Sequence, residues 1–204
     1  MKKLYLASSS ASRQQLLQEM GLSFTVLTQT ADESACDWSL SLEQVVTSIA
    51  EHKMEQVIMP VGVSGDTAFV ITADTLTQDL NGVVYGKPID HADVVKQLSA
   101  LRPESVVATA FCVHKKQFVD GKWQVVDART QVVTARCVFN IPDEWIAQYS
   151  AHMPVLQCAG SMAIEGYGMQ FVQAIHGSYS GIQGLPVFEL RQVLQELGFF
   201  QNNS

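Results

Sequence analysis

Four serines and an arginine stand close together near the start of the chain: Ser8, Ser9, Ser10, Ser12 and Arg13. They follow an apolar stretch, Leu4-Tyr5-Leu6-Ala7, and precede a helix-like pattern with Leu16, Leu17 and Met20 on one side. Such a junction is a strand feeding a helix N-terminus, where unpaired backbone N–H groups, hydroxyls and a guanidinium face an anion. A phosphate is the anion these residue types suit best; helix capping by serine is the plainer alternative.

Other chemistry-bearing groups fall where elements end and loops begin. Asp32-Glu33 closes a polar loop, Lys53 follows Ala50-Glu51 on a helix, and Asp74-Thr75 terminates a buried apolar run. Gly86-Lys87-Pro88 follows a hairpin signal, and Glu165-Gly166 sits in the glycine-rich stretch 160–168. Two carboxylates, two lysines and a Ser/Arg nest are what Mg²⁺-dependent phosphoanhydride hydrolysis needs. The carboxylates hold the metal or deprotonate water, and the cations neutralise charge on phosphoryl oxygens. Each group also has a simpler reading: Glu51 and Lys53 as a solvated helix face, Asp74 as a turn cap, Gly86-Lys87-Pro88 as a turn.

Other templates fit less well. Gly86-Lys87 is followed by Pro88 and lacks the upstream glycine of a Walker A loop, and no GxGxxG is present. Gly177-Ser178-Tyr179-Ser180-Gly181 carries tyrosine where a nucleophile elbow needs serine. The four cysteines (36, 112, 137, 158) and five histidines (52, 91, 114, 152, 176) are too scattered for a metal cage or a redox pair, which predicts reduced, mostly buried thiols. A net charge of −7 argues against a broad nucleic-acid face. The apolar runs are too short to span a bilayer, and Lys2-Lys3 is not followed by a secretory apolar segment, so no membrane partner and a cytoplasmic location are expected.

The elements that must position these groups follow from periodicity and turn chemistry. Strands are predicted at 3–7, from Phe24 to Leu27 and at Phe69-Val70-Ile71. Helices are predicted at 10–20, 41–59, from Asp90 to Leu101, from Pro142 to Tyr149 and from Leu185 to Leu197. Asn81-Gly82 marks a hairpin, and Asp120-Gly121 joins two long β-branched segments, 105–115 and 123–139. Residues 169–175 read as a further strand. The mixture predicts a single α/β domain over 1–204 with a mixed sheet. Composition agrees, with 47% hydrophobic and 16% charged residues in 204.

In order along residues 3–198, these motifs resemble the Maf (septum-formation-like) nucleoside triphosphate pyrophosphatases. Leu6-Ala7-Ser8-Ser9-Ser10-Ala11-Ser12-Arg13 with Leu16-Leu17 corresponds to the family's opening Leu-Ala-Ser-x-Ser-Pro-Arg-Arg and Leu-Leu helix. Asp32-Glu33-Ser34, Ala50 to Lys53, Ala73-Asp74-Thr75, Gly86-Lys87-Pro88, Ala159-Gly160 and Gly184-Leu185-Pro186 match its later motifs. The resemblance implies a two-lobed α/β fold with a mixed twisted sheet, similar to inosine-triphosphate pyrophosphatase, with the site in a central cleft. It implies hydrolysis of a nucleoside triphosphate to monophosphate and pyrophosphate with Mg²⁺ or Mn²⁺, and a homodimer. By that correspondence Asp74 is the general base or holds the metal, with Glu33 assisting. Ser8, Ser10, Arg13, Lys53, Thr75 and Lys87 bind the nucleotide.

The sequence departs from the family at its first arginine, where Ser12 stands, and at the asparagine before Gly-Leu-Pro, where Ser180-Gly181-Ile182-Gln183 stands. Serine cannot replace a bidentate guanidinium fork. That loss keeps open a nucleotide-binding regulator of cell division with impaired catalysis. Cys158-Ala159-Gly160-Ser161 followed by Glu165-Gly166 resembles the 7-methyl-GTP branch, with Glu165 meeting the base. Gly177-Ser178-Tyr179 resembles the dTTP/UTP branch. The expectation leans to 7-methyl-GTP, with dTTP/UTP as the alternative.

Overall fold

The structure is a computed structural model that describes residues 2–201. Its centre is a single mixed sheet of seven strands. β1 (Lys2–Leu6) runs parallel to the two-residue β2 (Thr25–Val26) on one side and to β3 (Thr67–Gln78) on the other. β3 turns back through Asn81-Gly82 onto the short β4 (Val84–Tyr85), and pairs antiparallel along its whole length with β5 (Glu104–Val119). In that turn the Asp79 carboxylate accepts from the backbone N–H groups of Asn81 and Val83, both at 2.9 Å. β6 (Lys122–Phe139) follows, then β7 (Val172–Gly177), both antiparallel. Asp120 and Gly121, at φ 52° and 76°, make the β5–β6 turn with the doubly positive φ that suits the twist of a hairpin.

Helices cover the sheet according to its two-residue period. One face of β3 presents Phe69, Ile71 and Ala73 to α1 (Ala11–Glu19) and to the C-terminal helix, through Leu16, Leu17, Leu190, Val193 and Leu194. The other face presents Ala68, Val70 and Leu76 to α2 (Leu42–Glu55), through Val45, Val46, Ile49, Ala50 and Met54. Ser41 begins α2 with a reciprocal capping box with Gln44. A third cluster joins α3 (His91–Ala100) and α4 (Asp143–His152) to β5 and β6 around Phe139, Tyr149 and Phe171. The short α5 (Tyr179–Ile182) and α6 (Val187–Glu196) complete the chain.

The expected mixed α/β architecture is present, with differences at several element ends. The strand expected from Phe24 to Leu27 pairs only at Thr25 and Val26. The helix expected to reach residue 59 stops at Glu55, because Val57 bridges to Gln29 and the Ile58 N–H bonds to the Thr28 carbonyl. The strand expected only at Phe69-Val70-Ile71 runs for 12 residues, so Asp74 lies inside it rather than at its end. Residues 169–171 belong to a 3₁₀ turn, Gly166–Phe171, ahead of β7. The last helix begins at Val187, since Leu185 and Pro186 still form the approach to it. Among the described residues no helix is long and apolar enough to cross a membrane, and all four cysteines are free thiols.

Candidate active site

The site is built at a gap in the sheet. β5 occupies one side of β3 throughout, while the other side is shared by β1, which pairs up to Ile71, and β4, which begins pairing at Thr77. Between them Asp74 and Thr75 have no strand neighbour on that side. The chain leaves β1 there for α1, with the Ala7 N–H bonded to the Ile71 carbonyl at 2.8 Å. Alternation then sends the two side chains to opposite faces. Asp74 shares the α2 face with Thr72, whose hydroxyl donates to the Ala50 carbonyl at 2.8 Å. Thr75 shares the α1 face.

On the α2 face Lys53 is buried and holds two carboxylates together. Its Nζ lies 2.6 Å from Asp74 Oδ1 and 2.8 Å from Glu33 Oε1. The adjoining Asp32 is not part of this cluster. Its carboxylate caps the 3₁₀ turn Glu33–Ala35, accepting from the Ser34 N–H at 3.0 Å and hydroxyl at 2.7 Å. Trp38 pins the same loop by donating to the Glu33 carbonyl at 3.2 Å.

On the α1 face Ser10 is the helix cap, accepting from the Arg13 N–H at 3.4 Å. The capping expectation for the serines therefore holds at Ser10. The Ser8 hydroxyl accepts from the Ser10 N–H at 3.2 Å and from Arg13 at 3.3 Å. Arg13 reaches across the gap, donating through Nε to the Gly184 carbonyl at 2.8 Å and through its second terminal nitrogen to Thr75 Oγ1 at 3.1 Å. A Cβ on Gly184 would sit 3.5 Å from both Arg13 Nε and Thr75 Oγ1, and its φ of 112° is one that side chains rarely adopt.

A cleft opens beside Arg13. Ser10, Ser12, Arg13, Thr75 and Lys87 line one part of it, and Gln157, Cys158, Met162, Glu165 and Gln183 another. Of the residues expected at the site, Ser10, Arg13, Thr75, Lys87 and Glu165 line the cleft. Ser8 is buried with its hydroxyl bonded to Arg13, while Glu33, Lys53 and Asp74 do not line the cleft: they form a charged cluster on the α2 face, close enough that Lys87 and Arg13 act on Glu33. The cleft is narrow, with about 70 Å³ of free space.

The wall that carries Glu165 has no helical or strand period. It is a run of 3₁₀ turns, Val155–Gln157, Ala159–Ser161 and Gly166–Phe171. Tyr149 holds it: the buried hydroxyl accepts from the Ala163 N–H at 2.7 Å and lies 3.0 Å from the Ser161 carbonyl. Ser161 in turn donates to Gln97 Oε1 at 2.9 Å. Glu165 precedes the last turn without capping it, which leaves its carboxylate for the cleft. Cys158 is a neutral thiol, pushed up to about 12 by burial and by the charge of Glu165.

Electrostatics set the two site carboxylates apart. Burial raises Asp74 above the usual carboxylate range, more than Lys53 and Arg13 lower it. Glu33 is also raised by burial, but Lys53, Lys87 and Arg13 bring it net below its ordinary value. Burial lowers the Arg13 guanidinium against the pull of Asp74 and Glu33; arginine stays charged at neutral pH regardless. Two polar atoms of the site are left over among the described residues: Asp74 Oδ2 and Thr77 Oγ1 are both buried with no hydrogen-bond partner. An orphaned carboxylate oxygen beside a second carboxylate fits a hard divalent cation, which takes one or two protein carboxylates and completes its shell with substrate phosphates and water. Among the described residues no group of three or more His, Cys, Asp and Glu side chains forms a ready-made metal cage.

Three contributors to this site carry no strong sequence signal. Thr77 and Thr109 are buried hydroxyls that read as ordinary strand formers, and Gln157 falls in a loop without pattern.

The profile of the family described as "Maf-like protein" matches residues 3–197. The chain is 32% identical over 200 residues to a protein of Caldicellulosiruptor bescii named "dTTP/UTP pyrophosphatase", covering 98% of this chain and 96% of that one. A protein of the same name from Neisseria meningitidis serogroup A is 32% identical over 204 residues, with the same coverage. Another from Shewanella sp. (strain MR-7) is 32% identical over 201 residues, covering 96% of this chain and 98% of that one. With the match running from β1 through α6, the chain belongs to the Maf family.

Proposed function

We propose that this Maf-family nucleoside triphosphate pyrophosphatase splits its substrate at the Asp74–Lys53–Glu33 cluster. The observation that carries the proposal is the buried lysine bridging two carboxylates, one of which keeps an unpartnered oxygen. Arg13, Ser8, Ser10 and Lys87 hold the phosphates, in reach of the N-terminus of α1. Asp74, raised by burial, takes a proton from a water that attacks the α-phosphorus. The bond to the bridging oxygen breaks, and pyrophosphate leaves as Lys53 and Arg13 neutralise its charge. Asp74 and Glu33 would hold a divalent cation, Mg²⁺ or Mn²⁺, which supplies further neutralisation of the phosphoryl oxygens. With Arg13 anchored, the site retains a guanidinium although Ser12 replaces the family's first arginine. That favours turnover over a binding-only regulator.

For the base, the proposed substrate is 7-methyl-GTP. Glu165 places an acceptor-only carboxylate on the wall of the cleft. A carboxylate suits guanine, whose N1–H and exocyclic amine both donate, and the cationic ring of 7-methylguanine adds attraction. The second reading is dTTP/UTP. The relatives' names favour it, as does the Ser178-Tyr179 pair opening α5. Pyrophosphate release from 7-methyl-GTP, GTP, dTTP, UTP and CTP, by wild type and Glu165→Gln, separates them. The proposal expects 7-methyl-GTP to lead, and the variant to lose about tenfold or more in kcat/KM for it. A wild-type preference for dTTP and UTP that is unmoved by Glu165→Gln would replace it with the second reading.

A further inference from the structure

Thr109 lies in the middle of β5, opposite Thr75 in register and completely buried. A hydroxyl there is costly unless both its donor and acceptor functions are used. Both are. Thr109 Oγ1 donates its only proton to the Gly181 carbonyl in α5, at 2.7 Å. The 2.8 Å contact between the two threonine hydroxyls must therefore run from Thr75 to Thr109. With its own proton spent, Thr75 Oγ1 can only accept on its other side, and there it takes the N–H of Arg13 at 3.1 Å. The hydrogen bonds form a directed chain: Arg13 to Thr75 to Thr109 to the Gly181 carbonyl.

We infer that Thr109 is a positioning residue for the phosphate-binding guanidinium. It fixes the direction of the Thr75 hydroxyl, and through it the plane of Arg13. A guanidinium has five N–H donors in one rigid fork. Three are committed to Gly184, Ser8 and Thr75, which aims the remaining two. Remove the oxygen of Thr109 and Thr75 loses the acceptor for its proton. Its hydroxyl is then free to rotate and to offer Arg13 a proton instead of a lone pair. The chain also ties the fork to α5 and the Gly184 turn, which links two of the three anchors of Arg13, Thr75 and Gly184. The inference rests on the phosphate role of Arg13 proposed above.

The test is a double-mutant cycle between Thr109→Val and Arg13→Lys, since lysine is a point charge with no fork to orient. Two quantities are read: kcat/KM per folded molecule for the best nucleotide of the panel, and the calorimetric Kd for inorganic pyrophosphate. Thr109→Val is expected to weaken both by about five- to tenfold, with Thr109→Ser restoring them, and to have no further effect in the Arg13→Lys background. A threonine that served packing alone would lower thermal stability and leave both quantities unchanged, which overturns the inference. So does a Thr109→Val loss that persists undiminished beside Arg13→Lys. If Arg13→Lys by itself changes neither quantity, the phosphate role of Arg13 fails and the inference falls with it. Should Thr109→Val not fold, Thr109→Cys, close in volume and only a weak donor, takes its place in the same cycle.

Discussion

Replacing Lys53 with methionine, which keeps the stem and removes the charge, probes the cluster most sharply. In the wild type Nζ neutralises Asp74 at 2.6 Å and Glu33 at 2.8 Å. The Glu33 side chain is 48% exposed, so that half of the bridge contributes under about 1 kcal/mol. Asp74 and Lys53 are both buried at 8% exposure. Removing one partner from a buried pair costs about 3–5 kcal/mol, because the other charge is stranded. For a chain of 204 residues that lowers Tm by about 6–20 °C, at about 2–4 °C per kcal/mol. The loss depends on pH with a definite sign. Burial already raises Asp74, and losing Lys53 raises it further. The deficit is full where Asp74 is ionised and shrinks as pH falls through its raised pKa, since a neutral carboxyl needs no counter-ion. Thermal unfolding followed by circular dichroism from pH 8 down to the lowest pH at which both proteins fold, with EDTA present, measures it. A deficit below about 1 kcal/mol, or one that stays constant across the whole range, would refute the account of a buried ion pair at the site.

Three further outcomes follow from the same geometry. A Cβ at Gly168 would sit 1.8 Å from the Ala163 carbonyl oxygen, so Gly168→Ala should displace the wall carrying Glu165, lowering Tm and raising KM together. Tyr149→Phe removes the hydroxyl that receives the Ala163 N–H and should cost about 1–3 kcal/mol in unfolding free energy, raising KM more than it lowers kcat. Because burial holds Asp74 high, its carboxyl in the metal-free protein should titrate above the ordinary aspartate value of about 3.9 when followed by NMR; titration at or below that value would contradict the burial account.

What was legible in the sequence is uneven for physical reasons. The β5–β6 hairpin and α2 announce themselves, because a turn with two positive φ values and an amphipathic stripe leave local marks. The residues of the candidate site stand in ordered motifs whose types suit phosphate chemistry, but nothing local shows that Glu33, Lys53 and Asp74 converge. Asp74 lies inside β3 although a carboxylate after Phe69 to Ala73 looks like a strand terminator, as an ionised group inside a sheet is costly. It is tolerated there because Lys53 meets it from α2, 21 residues away in the chain, a pairing no local window contains. The wall from Val155 to Phe171 was illegible for a different reason. Its turns depend on Tyr149 and on glycines at positive φ such as Gly160 and Gly166, and not on any period. Thr109 was hidden because a threonine among β-branched residues already suits a strand, and its hydrogen bonds run to partners 34 and 72 residues away.

The most direct test of the central claim compares products from wild type and Asp74→Asn with Mg²⁺ on the preferred nucleotide, with nucleotide affinity measured in parallel. Wild type should release monophosphate and pyrophosphate in equal amounts. Asp74→Asn should bind the nucleotide and release neither, a loss of about 10²–10⁴ or more in rate. Turnover near the wild-type rate by Asp74→Asn, or orthophosphate as the wild-type product, would contradict a site that splits the α–β bond at Asp74.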